Sequence, residues 1–127
     1  MNVVDSSGRL EYFGDGPNAA YFAGPLAKAD ELIVPAISVF EVFKCVLQQR
    51  DEASALQAAA LMQQGRSVAL DTALAMAAAK LSFELRLPMA VSIILATARQ
   101  FNAMLWTQDA DFEKLPGVRY VAAARAG

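Results

Sequence analysis

The chain of 127 residues contains no histidine and only one cysteine. Each of these facts excludes a kind of chemistry. Without histidine there is no Ser-His or Cys-His nucleophile pair and no imidazole general base. The lone Cys45 cannot form an internal disulfide, which fits a reducing compartment, and it cannot build a zinc site by itself. Carboxylate chemistry remains, and carboxylates without histidine or cysteine favour hard cations such as Mg²⁺ or Mn²⁺.

Charge is also scarce, because charged residues make up 19% of the chain and hydrophobic residues 56%. This balance predicts a single domain, residues 1–127, with a second buried surface such as a dimer or partner interface. The net charge of −2 gives no general basic surface, so an RNA substrate would need a local patch. We recognise no signal peptide and no charge-free membrane span, and we therefore expect a cytoplasmic protein without membrane contact.

Short apolar runs alternate with helical patterns along the whole chain. The predicted strands are 2–4, 32–34, 104–106 and 118–121, with a minor strand at 67–70. The predicted helices are one carrying Leu10, Tyr12 and Phe13, then 17–28, 37–49, 52–64, 72–85, 88–101 and a short one at 112–115. The alternation predicts the α/β class, as a three-layer α/β/α sandwich around a mostly parallel sheet. Residues 122–127 are expected to fray.

The stretch from Leu87 to Phe112 combines a buried helix, a strand and a cluster of polar groups. Its helix is apolar nearly all round, which predicts burial. Its strand is a short continuous apolar run, which is typical of a strand covered on both faces in a parallel sheet. Thr107, Asp109 and Asp111 follow that strand directly. In open parallel sheets this carboxyl edge is where ligands bind, so these polar groups mark a candidate site.

Two further acids are predicted to reach the same edge. Asp5 ends the first strand, and Glu41 lies in the first turn and a half of the helix that follows the second strand. Three separate connections therefore deliver carboxylates to one place. Clustered carboxylates repel one another, and a bound cation is the usual reason for such a cluster.

Each acid also has a purely structural interpretation. Asp5 is well placed to cap the first helix. Asp109 and Asp111 could simply open the short helix at 112–115, where carboxylates complement the helix dipole. Taken singly, these interpretations are at least as good as a functional one, and only the shared edge favours function.

The helical periodicity around Glu41 predicts that its side chain is exposed to solvent. The apolar arc of its helix is centred on Val39, Phe43, Val46 and Leu47. Glu41 falls opposite this arc, which predicts an i,i+3 salt bridge to Lys44, although a cleft is also solvated. Arg9 is expected to be a solvated charge, close enough to Asp5 to meet a phosphate.

Four motifs, in register through essentially the whole chain, resemble the PIN domain and are most similar to the VapC toxins of bacterial toxin–antitoxin pairs. They are Val-Val-Asp-Ser-Ser at the N-terminus, Pro-Ala-Ile-Ser-Val-Phe-Glu ending at Glu41, Leu-Pro-Met-Ala-Val-Ser-Ile-Ile-Leu-Ala-Thr-Ala from Leu87, and Leu-Trp-Thr-Gln-Asp-Ala-Asp-Phe ending at Phe112. The resemblance implies a Mg²⁺- or Mn²⁺-dependent endoribonuclease with an α/β/α fold. It also implies a homodimer, an RNA substrate with tRNA as one candidate, and a VapB antitoxin whose tail covers the active site.

The resemblance assigns roles to particular residues. Asp5, Glu41 and Asp109 fall on acidic positions of the family, as catalytic residues and metal ligands, and Asp111 is a possible catalytic helper. Ser7 and Thr107 match polar positions that support the site.

The remaining acid of the family belongs between Ala90 and Ser92, where this chain has Val91. Valine offers no oxygen to a metal, so we predict that RNA cleavage is impaired. We also expect Val91 to occupy the helix N-cap, where valine is unfavourable, with Ser92 taking over the capping. Both an inactivating change, deliberate or selected, and natural decay fit this departure.

Two other classes of protein compete with the nuclease. One is a catalytically inactive PIN-like module that binds antitoxin or RNA without cleavage. The other is a signalling receiver domain, which needs an acidic pair after its first strand. Since Ser6 follows Asp5, the receiver domain fits poorly.

Overall fold

The computed structural model describes residues 1–124, in which the chain forms five strands and six α-helices. The strands are β1 (Asn2–Val4), β2 (Ile33–Pro35), β3 (Arg66–Val68), β4 (Met104–Thr107) and β5 (Val118–Tyr120). The helices are α1 (Ser6–Phe13), α2 (Ala19–Leu26), α3 (Ala36–Gln49), α4 (Glu52–Met62), α5 (Thr72–Leu85) and α6 (Met89–Gln100). Of the tail expected to fray, residues 122–124 have no helix or strand, and residues 125–127 lie outside the described residues.

Within residues 1–124 all strand pairs are parallel, as the alternation of strands and helices predicts. Strands β1, β4 and β5 form one ladder in the order β1-β4-β5, and β2 pairs with β3. A parallel bridge between Asn2 and Leu32 joins the two parts. The predicted minor strand is therefore real, because β3 lies beside β2.

Alternate residues of the strands pack against helices on opposite faces of the sheet. Val3 and Leu105 pack against α6, in which every residue from Val91 to Ala98 is buried. On the other face, Val4 packs against Phe22 of α2, and Val34 lies in a cluster with residues of α3 and α4. The predicted three-layer α/β/α architecture is confirmed.

Helices α5 and α6 pack against each other around a bend of 117°. Arg86, at the bend, has a left-handed backbone with φ of 55°. Leu74 and Ala78 of α5 form a small core with residues of α6. Within the described chain no single helix is long and apolar enough to cross a membrane; only the bent α5–α6 pair reaches that length and composition.

Two predicted helix starts are wrong. The helix expected from Pro17 begins at Ala19, with Asn18 at the N-cap. The short helix expected at 112–115 is a 3-10 turn at Ala110–Phe112, because the Asp109 carboxylate accepts a hydrogen bond from the backbone N–H of Asp111 and starts the turn earlier.

The capping predicted for α6 is also wrong. Pro88 occupies the N-cap, so Val91 is the third residue of the helix. The Ser92 hydroxyl donates to the carbonyl of Pro88 at 2.8 Å and does not accept from a free N–H of the first turn. The first turn of α6 thus has no side-chain cap.

Candidate active site

A cavity of about 310 Å³ lies at the carboxyl edge of the sheet, where Asp5, Glu41 and Asp109 meet Val91. The full set of lining residues is Asp5, Ser6, Ser7, Leu10, Glu41, Ala90, Val91, Ile94, Asp109 and Phe112. The structure brings these three predicted acids into one cavity, and it leaves Asp111 exposed outside the lining. The connection after β1 supplies Asp5, helix α3 supplies Glu41, and the connection after β4 supplies Asp109, so three separate elements deliver an acid to the same edge.

Asp5 combines the structural role and the cavity position that the sequence offers as alternatives. One carboxylate oxygen, Oδ1, accepts from the backbone N–H of Gly8 at 2.9 Å and so caps α1. The same oxygen accepts from the Ser7 hydroxyl at 2.7 Å, and Oδ2 accepts from the Thr107 hydroxyl at 2.6 Å. Asp5 is only 2% exposed, so these three hydrogen bonds replace most of its contact with water.

Burial raises the pKa of Asp5 from 3.8 to about 6. Desolvation disfavours the charged carboxylate, and the negative charge of Asp109 adds to this effect. The hydrogen bonds from Thr107, Gly8 and Ser7 favour the charged form and lower the pKa, but they do not outweigh burial.

Thr107 ties the end of β4 to the end of β1. Its hydroxyl is fully buried, donates to Asp5 and accepts from the backbone N–H of Asp109 at 2.9 Å. Ser7 makes a second link, because its oxygen accepts from the backbone N–H of Gln108 at 3.2 Å. These contacts fix the backbone that carries Asp109 relative to Asp5.

Glu41 is half-buried and accepts a hydrogen bond from the Ser6 hydroxyl at 2.6 Å. The predicted salt bridge is wrong: within residues 1–124 Glu41 makes no ion pair with Lys44, whose Nζ lies 5.9 Å from the centre of the Phe40 ring. Ser6 is a site residue that the sequence reasoning missed. The available signal was its position directly after Asp5, in the first turn of α1.

The apolar arc predicted for α3 is rotated relative to the observed one. The buried residues of this helix are Ser38 and Val42, while Leu47 is 41% exposed. Glu41 therefore lies at the flank of the buried face, next to the cavity, and does not point to open solvent on the opposite side.

Val91 lines the same cavity as the three acids. It is 6% exposed and belongs to the same core cluster as Ile94 and Phe112, which also line the cavity. These three side chains form an apolar part of the lining, beside the three acids. A carboxylate at the third position of α6 would be favoured by the helix dipole, so the local backbone suits the acid that is absent.

The residues present do not form a complete metal site. Their donor chemistry, carboxylate oxygens only, suits a hard cation. However, among residues 1–124 no three histidine, cysteine, aspartate or glutamate side chains lie close enough together to hold one ion. The Asp5 oxygens already accept three hydrogen bonds, and Val91 adds no ligand.

Arg9 is buried, which contradicts the solvated position expected from the sequence. Its side chain is 3% exposed, and burial lowers the pKa of the guanidinium to about 10. The Nε–H donates to the carbonyl of Val4 at 3.3 Å, but Nη2 is buried without a hydrogen-bond partner among residues 1–124. Arg9 does not line the cavity and so cannot meet a phosphate there.

We expect Arg9→Met to stabilise the fold by about 1 to 3 kcal/mol, because methionine keeps the aliphatic stem and removes a buried donor without a partner. Urea unfolding at neutral pH measures the change in the free energy of unfolding. The exposed Arg50→Met is the matched control and should be nearly neutral. A loss of stability in Arg9→Met would mean that the bond to Val4 outweighs the buried charge.

Several solved structures share this fold. The chain is similar to a toxin-antitoxin complex from Klebsiella pneumoniae, with 23% identity, 94% of this chain and 96% of that chain covered, and a TM-score of 0.76. VapC20 from Mycobacterium tuberculosis, a Sarcin-Ricin loop cleaving toxin, shows 14% identity and a TM-score of 0.77, and the match covers 91% of this chain and 95% of VapC20. VapBC2 from Rickettsia felis, bound to a promoter DNA fragment, shows 15% identity and a TM-score of 0.73, and the match covers 95% of this chain and 97% of that chain.

At these identities the likeness establishes the fold, and the family follows from the sequence itself. No curated protein sequence matches the chain. The family model described as PIN domain matches residues 3–118. That range includes Asp5, Glu41, Val91 and Asp109, which line the same cavity. The chain belongs to the PIN domain family.

Proposed function

We propose that this chain is a VapC-type toxin, an endoribonuclease whose RNA cleavage is impaired by Val91. The observation that carries the proposal is the cavity lined together by Asp5, Glu41, Asp109 and that valine. PIN nucleases are hydrolases that generally use a divalent metal. With an aspartate in place of Val91, four carboxylates would surround the cavity, and Mg²⁺ or Mn²⁺ is the expected ion.

The proposal includes partners. A VapB-type antitoxin is supported by the similar structures, which are toxin-antitoxin and VapBC complexes. An RNA substrate is supported by the similar VapC20, which cleaves the Sarcin-Ricin loop. We further propose that the chain forms a homodimer and acts in the cytoplasm. The supporting roles of Ser7 and Thr107 rest on their hydrogen bonds to Asp5.

One observation favours a second candidate, a catalytically inactive module that binds antitoxin or RNA without cleavage. Val91 is part of the hydrophobic core as well as of the cavity wall. A fold that packs well around a valine at this position keeps its surfaces for partners even when it holds no metal.

The first experiment is Mn²⁺ calorimetry on the chain, Val91→Asp and Val91→Asn. We expect Val91→Asp to bind roughly tenfold or more tightly than the parent chain, because it completes the set of carboxylates. Val91→Asn has nearly the same size without the charge, so it should bind like the parent chain. If aspartate and asparagine behave alike, position 91 lies outside the metal shell and the inactive module becomes the better candidate.

A further inference from the structure

The bend between α5 and α6 holds an arginine in an unfavourable backbone conformation. Within residues 1–124 three residues other than glycine have a left-handed backbone: Asp15, Arg86 and Asn102. Aspartate and asparagine tolerate this conformation, because their short polar side chains bond locally. Arg86 lacks such a side chain, and it occupies the C-cap of α5, a place where glycine is favoured. Strained residues cluster at binding and active sites, which makes Arg86 a candidate for function.

Hydrogen bonds from both helices hold this bend in place. The carbonyl of Leu87 accepts from the hydroxyl of Ser82 at 2.7 Å and from the hydroxyl of Ser92 at 3.4 Å. The backbone N–H groups of Arg86 and Leu87 both donate to the carbonyl of Ser82. Leu87 also packs against the core cluster that includes Val91. The backbone of Arg86 is therefore fixed at the start of α6.

Arg86 lies at the same edge of the fold as the candidate active site. Ala90 and Val91, in the first turn of α6, line the cavity, and Arg86 precedes Ala90 by four residues. Four residues span at most about 14 Å when fully extended, and a long arginine side chain can cover much of that distance. Arg86 is exposed and forms no ion pair with a carboxylate in the described chain. Its charge is thus available to a ligand that approaches the cavity.

The charge of the cavity explains the need for a cation beside it. The described lining contains three acids, Asp5, Glu41 and Asp109, and no lysine or arginine. These acids repel the phosphates of an RNA strand, and affinity for such a strand comes from lysine and arginine contacts to its phosphates. Since the net charge is −2, a general basic surface does not supply them. A guanidinium suits this task, because it can donate two parallel hydrogen bonds to one phosphate.

Two other cations that are close in sequence to cavity residues are less suitable. Lys44 follows Glu41 by three residues, and its Nζ lies 5.9 Å from the centre of the 60% exposed Phe40 ring. This contact places the ammonium over the outer side of α3. Lys114 directly follows Glu113, so its charge is balanced locally. Arg86 remains the better candidate for a phosphate near the cavity.

We propose that Arg86 binds a phosphate of the RNA strand beside the cavity and so positions the strand over the three acids. This inference rests on the proposed function and names a contact that the chain itself makes with RNA. The contact joins a guanidinium to a phosphate outside the cavity lining, so it forms without a metal ion. It also gives a reason for the strained backbone, because glycine could not supply the charge.

RNA binding in the presence of EDTA tests this contact apart from any metal. The probe is a fluorescein-labelled single-stranded RNA, and fluorescence anisotropy gives its dissociation constant for the full chain over a series of salt concentrations. We expect Arg86→Gln to weaken binding roughly five- to tenfold at low salt, as the loss of one charge-assisted phosphate contact does. The slope of log K against log salt should fall in magnitude by roughly 0.7, the contribution of one phosphate contact in a single strand.

Two further variants serve as controls. Arg86→Lys keeps the charge and should retain most of the affinity, although it loses the paired hydrogen bonds. Arg99→Gln removes an exposed arginine from the last turn of α6, at the opposite end of the helix from the cavity. It should leave the dissociation constant and the salt slope nearly unchanged.

Arg86→Gly separates an RNA contact from a purely structural role. Glycine relieves the left-handed backbone, so Tm should rise by roughly 3 to 6 °C, while the RNA affinity should fall as in Arg86→Gln. A residue kept only for the shape of the bend would not show these opposite changes.

The outcomes distinguish this proposal from the nuclease. A parent chain that does not bind the RNA, or an Arg86→Gln variant with unchanged affinity and salt slope, would overturn the role of Arg86. The second of these results would indicate that the arginine contacts a protein partner instead. If Arg86→Gln weakens RNA binding but Val91→Asp binds no Mn²⁺, the Arg86 contact stands and the nuclease proposal alone fails.

Discussion

Replacing Val91 with aspartate is expected to raise Mn²⁺-dependent RNA cleavage by roughly two orders of magnitude, the scale seen when one stabilising group of a transition state is removed or restored. The valine lines the same cavity as Asp5, Glu41 and Asp109, so an aspartate there would add its oxygens to those of the three acids. Cleavage of a labelled RNA by the parent chain and the variant, at matched metal concentration, measures the effect.

The same substitution is expected to lower the stability of the fold, and this loss provides an internal control. Val91 is 6% exposed and packs in the core with Ile94 and Phe112, so an aspartate without metal should destabilise the fold by roughly 2 kcal/mol. Bound Mn²⁺ should return part of this free energy, since a ligand that binds only the native state stabilises it. Thermal unfolding with and without Mn²⁺ tests this coupling.

Two further outcomes decide the Val91 prediction. Adding Asp109→Asn to Val91→Asp should remove most of the gained cleavage, because the ion would again lose a charged ligand. If Val91→Asp folds, binds Mn²⁺ and still leaves the RNA intact, the cavity is a metal site without nuclease activity. That result would contradict the proposed function.

The architecture was predictable because strong periodicity and topology act together. The helix from Met89 to Gln100 is apolar nearly all round, a pattern typical of burial, and its residues from Val91 to Ala98 are buried. The runs at β1 and β4 are short and apolar, and the helices between them impose parallel pairing. The short helix near Phe112 was misplaced because a local side-chain bond from Asp109 set the start of the turn, and helical patterns do not report such bonds.

The candidate site was predictable to the level of the sheet edge and no further. Parallel strands bring their carboxyl ends together, which is why Asp5 and Asp109 meet in one cavity. The side-chain partners were not predictable, because Ser6 reaches Glu41 from a different helix, 35 residues away in sequence. The burial of Arg9 likewise depends on how α1 lies against the sheet, and charge alone predicted solvent.

We expect Asp5→Asn to stabilise the fold at neutral pH and to remove a large part of its pH dependence. The folded-state pKa of Asp5 is about 6, above the ordinary aspartate value of 3.8. The native state therefore keeps this proton at pH values where the unfolded state has released it. The resulting contribution to stability is complete below pH 3.8 and is lost as the pH rises through 6, a change of about 3 kcal/mol.

Urea unfolding of the parent chain and Asp5→Asn at pH 4, 6 and 7.5, at one protein concentration, measures this difference. The stability gap should widen in favour of asparagine as the pH rises, because asparagine has no charge to bury and can still accept at the helix N-cap. Asp71 caps α5 in the same way, through the N–H of Leu74 at 2.8 Å, but it is exposed, so Asp71→Asn should show no such widening. A gap between Asp5→Asn and the parent chain that stays constant from pH 4 to 7.5 would mean that the three hydrogen bonds to Asp5 compensate its burial, and that this carboxylate is charged throughout the range.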